Sequence, residues 1–232
     1  GFGVGLTSTS LGLIRALQRS GLKVGFCKPI AQHHRDDAGP ERSTGLIAST
    51  HGITAPAPLA LAHVEQLLGS DNLDDLLEEI ISLHQQAGVD KDVVIIEGMV
   101  PTRQASYAAQ INVALAKSLN ADAILVTAPD NETAEALADR IELHVQQFGG
   151  PRQASIVGAV VNKISSDDYA RALQAASPLF ASERFRLLGC IPWQDDLNLP
   201  RTRDVAELLG ATVLNAGDYE QRRVQKVVLC AR

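Results

Sequence analysis

Gly1-Phe2-Gly3-Val4-Gly5-Leu6-Thr7-Ser8-Thr9-Ser10-Leu11-Gly12 opens the chain, and the reading of everything after it depends on this stretch. Glycines at alternate positions lead into a hydroxyl pair, and Leu13, Ile14 and Leu17 then recur at helical spacing. The pattern predicts a loop that opens a helix. Glycine backbone lets successive N–H groups turn toward one anion, and the helix N-terminus adds partial positive charge. Gly1–Ser8 would otherwise be a plain strand-to-helix turn. Two features depart from the usual phosphate-binding loop. Leu6 stands where a lysine separates the last glycine from the hydroxyl residue, and no strand feeds the loop. The start inside a motif, without an initiating Met, predicts a piece of a longer polypeptide that lacks its first strand.

Outward from the loop, apolar runs alternate with helical periodicities. A helix over 7–19 is followed by a short strand over 22–27, which delivers Lys28-Pro29-Ile30-Ala31-Gln32. Residues 33–43 read as an exposed polar excursion and 43–51 as a short helix. The leucine-rich stretch 63–86 is expected to split at Gly69-Ser70, with Asp71 or Asn72 capping its second helix. Val93-Val94-Ile95-Ile96 predicts a strand buried on both faces, ending in Glu97-Gly98. Further strands are expected over 123–127, 156–161 and 185–191, and helices over 112–119, 132–148, 169–176 and 205–209. The alternation predicts an α/β fold, a mostly parallel sheet with helices on both faces. Met99 and the leucines of 73–83 are expected in the core, and Trp193 as a packing anchor.

Composition narrows the function. The 232 residues carry a formal net charge of −6, and no basic block offers a nucleic-acid footprint. No apolar run is long enough to cross a bilayer, so neither nucleic acid nor membrane is an expected partner. Cys27, Cys190 and Cys230 are widely spaced without metal-ligand spacing, which suits a reducing cytoplasm.

In such sheets ligands gather at the carboxyl ends of strands. Polar residues stand there: Gly3, Gly5, Leu6, Thr7 and Ser8 in the loop, then Lys28, Glu97, Asn162 and Lys163. Glu97 after four β-branched residues has the place of a carboxylate that holds Mg²⁺ through water, with Thr7 supplying a hydroxyl ligand. A solvated acid at a strand end is the alternative. Lys28 and Asn162-Lys163 are the candidate anion or nucleotide contacts, Lys28 being otherwise a surface lysine. His33-His34 beside Asp36-Asp37 lack the spacing of a metal site, and the remaining histidines fall singly. Leu6 has no charge or donor to place between phosphates, so the electrostatic part of phosphoryl-transfer catalysis is missing unless Lys28 or Lys163 supplies it. Binding without efficient turnover is the expectation.

The order of motifs resembles the dethiobiotin-synthetase type of P-loop fold. Gly5-Leu6-Thr7-Ser8 stands where that family has Gly-Lys-Thr, Val24–Ile30 is similar to its second-strand Lys-Pro segment, and Glu97-Gly98 and Leu188–Trp193 match two further motifs. Leu6 and Met99-Val100-Pro101 depart from it. That family would imply an ATP-dependent carboxylate-activating ligase.

A second resemblance extends over essentially the whole chain. Val4–Ser8, Phe26–Gln32, Val94–Arg103, Val161–Lys163, Ala211–Asp218, Arg222–Val227 and Cys230–Arg232 are similar to the amino-terminal domain of the long-form phosphate acetyltransferase family, in which a leucine at position 6 is expected. This resemblance implies a cytoplasmic, oligomeric enzyme interconverting acetyl-CoA plus phosphate with acetyl phosphate plus CoA, its catalytic residues in a carboxy-terminal domain outside this chain. Residues 1–232 would be one regulatory and oligomerisation domain, with about 217–232 leading into the next. No catalytic residue is expected here and no cofactor is required. A nucleotide or metabolite effector, with Mg²⁺, is the candidate ligand, and the rest of the same polypeptide and further copies are the expected partners.

Overall fold

The hydroxyl-rich run after Gly5 is helical, and α1 spans Leu6–Arg19, one basic residue in its last turn favouring the negative end of the helix dipole. In this computed structural model the described residues are 3–32, 41–102, 105–150 and 156–226. They fall into two units, 1–191 and 192–232.

In the first unit β1 (Val24–Cys27) is buried along its whole length and pairs parallel with β2 (Val93–Ile96), Val24 facing Val93 and Cys27 facing Ile96. A second sheet has the order β3 (Ala123–Thr127), β4 (Ile156–Ile164), β5 (Arg186–Pro192), with β3 parallel to β4. Between the strands lie α2 (Arg42–His51), α3 (Leu61–Gly69), α4 (Leu73–Ala87), α5 (Ala108–Ser118), α6 (Ala134–Gln147) and α7 (Asp167–Ala176). The expected α/β arrangement of parallel strands and helices is present.

The period-2 geometry of β1 explains how helices cover both of its faces. Val24 and Phe26 pack with Ile14 of α1 and Ile47 of α2. Gly25 points the other way, against α4, where a Cβ would stand 2.2 Å from the carbonyl oxygen of Ala87. Only hydrogen fits there. Ile30, Val64, Leu76, Ile80, Met99 and Ile111 form a second cluster around α3, α4 and α5. A third joins Leu137, Ile141 and Val145 of α6 to Ala159, Val161, Leu173 and Phe185.

Three expectations change. β2 is half-buried rather than enclosed; β3 is half-buried too, with Ile124 36% exposed. Each has one strand neighbour among the described residues. The β4 ladder runs on to Ile164, which places Asn162 and Lys163 within the strand's last turn of pleat rather than beyond it. Trp193 is 43% exposed and its indole N–H donates to Asp195 Oδ1 at 2.6 Å, so burial is not what fixes it. The predicted break at Gly69-Ser70 separates α3 from α4, with Asn72 at the N-cap but making no side-chain cap bond.

The second unit carries α8 (Thr202–Leu209). Asp204 accepts from the Arg201 backbone N–H at 2.8 Å and from its guanidinium, which satisfies the N-cap N–H of α8. Thr202 N–H donates to Arg222 O and Val224 N–H to Pro200 O, which ties the helix to the following segment. Residues 227–232, including all of the second resemblance's final motif, Cys230–Arg232, lie outside the described residues, as do 33–40 with the His-His and Asp-Asp pairs. Among the described residues no helix is long and apolar enough to cross a membrane.

Candidate functional site

The loop that opens α1 is shaped from both ends. Gly3 and Gly5 take φ of 91° and 83°, a left-handed conformation that side chains resist. Gly5 is the N-cap of α1, and its ψ of 32° turns the chain straight into the helix. β4 then clamps the loop. Asn162 Nδ2 donates to Val4 O at 3.0 Å, and Lys163 Nζ donates to Gly3 O at 2.6 Å. A Cβ on Gly5 would lie 2.1 Å from Asn162 Nδ2, so any side chain there displaces the Asn162 amide from its present position. Lys163 itself has φ 60°, rare for a residue with a side chain, and it is this turn at the end of β4 that accompanies the reach to Gly3. The structure therefore brings together Gly3, Gly5, Asn162 and Lys163, far apart in sequence.

A second constellation lies one turn into α1. Glu97, at the end of β2, is buried, and Lys28, at the end of β1, is buried beside it. Lys28 Nζ lies 3.1 Å from Glu97 Oε1 and also donates to Gly98 O at 3.0 Å. Ser43 Oγ donates to Glu97 Oε1 at 2.7 Å, Ser10 Oγ to Oε2 at 3.2 Å, and Thr7 Oγ1 stands 3.4 Å from Oε1 and 3.0 Å from Ser43 Oγ. Thr7 and Ser10 share one face of α1 because residues three apart are neighbours on a helix. Neither Ser10 nor Ser43 is visible as a site residue from the sequence. The i, i+3 spacing of Thr7 and Ser10 was the available signal for the first, whereas Ser43 reaches the site only because α2 packs on α1.

The segment after Glu97 is held by two side-chain amides. Gln32 exchanges bonds with Val100, accepting from its N–H at 2.6 Å and donating to its carbonyl at 3.0 Å. Asn112 does the same for Met99 at 2.8 Å in each direction. Both pairs imitate the two-bond pairing of a β-ladder where no strand is present. They fix the backbone beside Lys28 and Glu97. Cys27, next in the chain to Lys28, is buried, and desolvation pushes its thiol up to about 12, which keeps it protonated and unreactive.

Leu6 and Ser8 lie in the first turn of α1, Ser8 exposed. Of the first-turn side chains only Thr7 joins the Glu97 network. Among the described residues no three His, Cys, Asp or Glu side chains gather as a metal-binding group.

A glycine loop clamped at a helix N-terminus, with a lysine and a carboxylate from adjacent parallel strands behind it, defines a P-loop-like α/β domain. The chain belongs to the AAA domain family, whose model matches residues 1–201. Along its whole length it is also similar to proteins named phosphate acetyltransferase: 63% identical to the one from Pseudomonas putida, 52% to that of Nitrosomonas europaea and 38% to that of Salmonella typhimurium. The chain spans only about a third of those relatives (34%, 34% and 35%) and corresponds to their amino-terminal domain.

Proposed function

We propose that this chain is the non-catalytic regulatory and oligomerisation domain of a phosphate acetyltransferase, whose catalytic domain, outside this chain, interconverts acetyl-CoA plus phosphate with acetyl phosphate plus CoA. One observation carries the reading. Both lysines that would stand in for the cation absent at Leu6 already serve protein acceptors, Lys28 on Glu97 and Gly98 O, and Lys163 on Gly3 O. Phosphoryl transfer rests on positive charge placed against the moving phosphate, and a leucine with two engaged lysines offers little of it.

What the loop retains is backbone. The N–H groups of the first turn of α1 have no intrahelical acceptor, and they present partial positive charge to a small anion. The effector class is thus a nucleotide or a phosphate- or carboxylate-bearing metabolite on Gly3, Gly5, Leu6, Thr7 and Ser8. Binding there is read out in the rest of the same polypeptide and in its assembly with further copies, in the cytoplasm, with no nucleic acid or membrane partner.

The test compares the full-length polypeptide with its Glu97→Gln variant. Glu97→Gln is expected to change the response of transferase activity to anionic effectors more than the maximal rate. Complete loss of transferase activity with the oligomer intact would contradict the assignment.

A further inference from the structure

The P-loop fold implies a divalent cation between a first-turn hydroxyl and the carboxylate at the end of a strand, here Thr7 and Glu97. These residues do not fit one. Mg²⁺ needs near-octahedral oxygen ligands at about 2.0–2.1 Å and keeps several of its waters. Glu97 instead accepts from Lys28, Ser43, Ser10 and Thr7, with both carboxylate oxygens engaged. The side chains of Lys28 and Glu97 are 3% and 2% exposed, so little space is left for a hydrated ion. The ammonium stands where the ion's charge would be needed, and a divalent ion placed beside it would meet a like charge in a low-dielectric setting.

We infer that Lys28 is a built-in replacement for the metal: its ammonium holds Glu97, Ser43 and Thr7 in the arrangement a cation would otherwise organise, and the loop is independent of divalent metal. A removed ammonium leaves a buried carboxylate without its counter-charge, a costly state that a bound cation relieves. Removing Lys28 should therefore uncover a cation site rather than merely weaken the fold. The inference does not depend on whether the loop takes an anionic effector, because it concerns metal binding with no anion added.

The experiment titrates Mn²⁺, as a paramagnetic stand-in for Mg²⁺, into the full-length polypeptide and counts bound ions by the loss of the free-ion resonance signal. Wild type, Thr7→Val and Glu97→Gln are expected to bind the same number of ions. Lys28→Met is expected to gain one ion per chain that the wild type lacks, and Lys28→Met/Glu97→Gln to lose it again. Loss of one Mn²⁺ in Thr7→Val or Glu97→Gln relative to wild type would overturn the inference, and so would a folded Lys28→Met that gains none. If Lys28→Met does not fold, the Thr7→Val comparison decides alone, since the change keeps the side chain's shape and removes the hydroxyl with its contacts to Glu97 and Ser43.

Discussion

Lys28 Nζ sits 3.1 Å from Glu97 Oε1 at the ends of two adjacent parallel strands, with both side chains almost wholly enclosed. A buried pair of this kind contributes little net stability compared with apolar residues of the same shape, but removing one partner strands a charge. Lys28→Met and Glu97→Gln are each expected to cost about 3–5 kcal/mol, and the double variant clearly less than their sum. Denaturant unfolding of the four proteins measures this. Additive single costs would mean that the two side chains are not coupled.

Gly5 joins two constraints at one residue, a left-handed dihedral and the nearby Asn162 amide. Gly5→Ala is expected to destabilise by roughly 1–3 kcal/mol, from backbone strain together with displacement of Asn162. Asn162→Ala in the same chain should recover part of that cost but not the part due to φ. Thermal unfolding reads both, and an unaffected Gly5→Ala would contradict the clamp.

Asn112 gives its carboxamide to both backbone groups of Met99. Asn112→Ala should lose about 1–3 kcal/mol, because a half-buried N–H and C=O are left without partners. Amide hydrogen exchange at Met99 should accelerate in step, while exchange in α6 stays as it was.

Acid should act on the second unit through Asp204. Side-chain hydrogen bonding from Arg201, then the bond from the Arg201 backbone N–H, holds its carboxyl down to about 2 from an ordinary 3.8. A folded value below the unfolded one means stabilisation that is complete above about pH 4 and lost as the pH falls through 2. The α8 amide signals should therefore shift over that window in the wild type, and Asp204→Asn should remove the dependence. A titration of α8 centred near pH 4 would contradict the capping geometry.

The parts of the fold written in local pattern were readable from the chain alone. Apolar runs located every strand among the described residues, and Gly69-Ser70 located the break between α3 and α4 because a glycine and a serine end a helix cheaply. The half-burial of β2 is not legible, since four β-branched residues look the same in an enclosed strand and in a half-buried one. At the site, Gly3, Gly5, Asn162 and Lys163 could be named because each follows a strand or opens a helix. Their meeting depends on the left-handed turn at Lys163, which nothing in Val161-Asn162-Lys163 announces. Ser10 and Gln32 lie inside quoted motifs, but nothing in the sequence says which group each meets, and Ser43 carries no motif at all; packing of one element on another decides these contacts.

Leu6 is the one position where a single substitution should restore what the loop lacks. Leu6→Lys is expected to tighten nucleoside triphosphate binding by about tenfold or more, since a charge-assisted contact is worth roughly 1.5–3 kcal/mol. Calorimetry measures it, and unchanged affinity would mean that the loop does not present its amides to phosphate.

The most direct measurement is phosphate release from Mg-ATP by the full-length polypeptide beside its Leu6→Lys and Glu97→Gln variants. The domain is read as a glycine-lined anion loop without the cation for phosphoryl transfer, so release by the wild type should stay at the uncatalysed background and be unaltered by Glu97→Gln. Steady turnover at ordinary enzyme rates, abolished by Glu97→Gln, would contradict it and favour an ATP-dependent ligase.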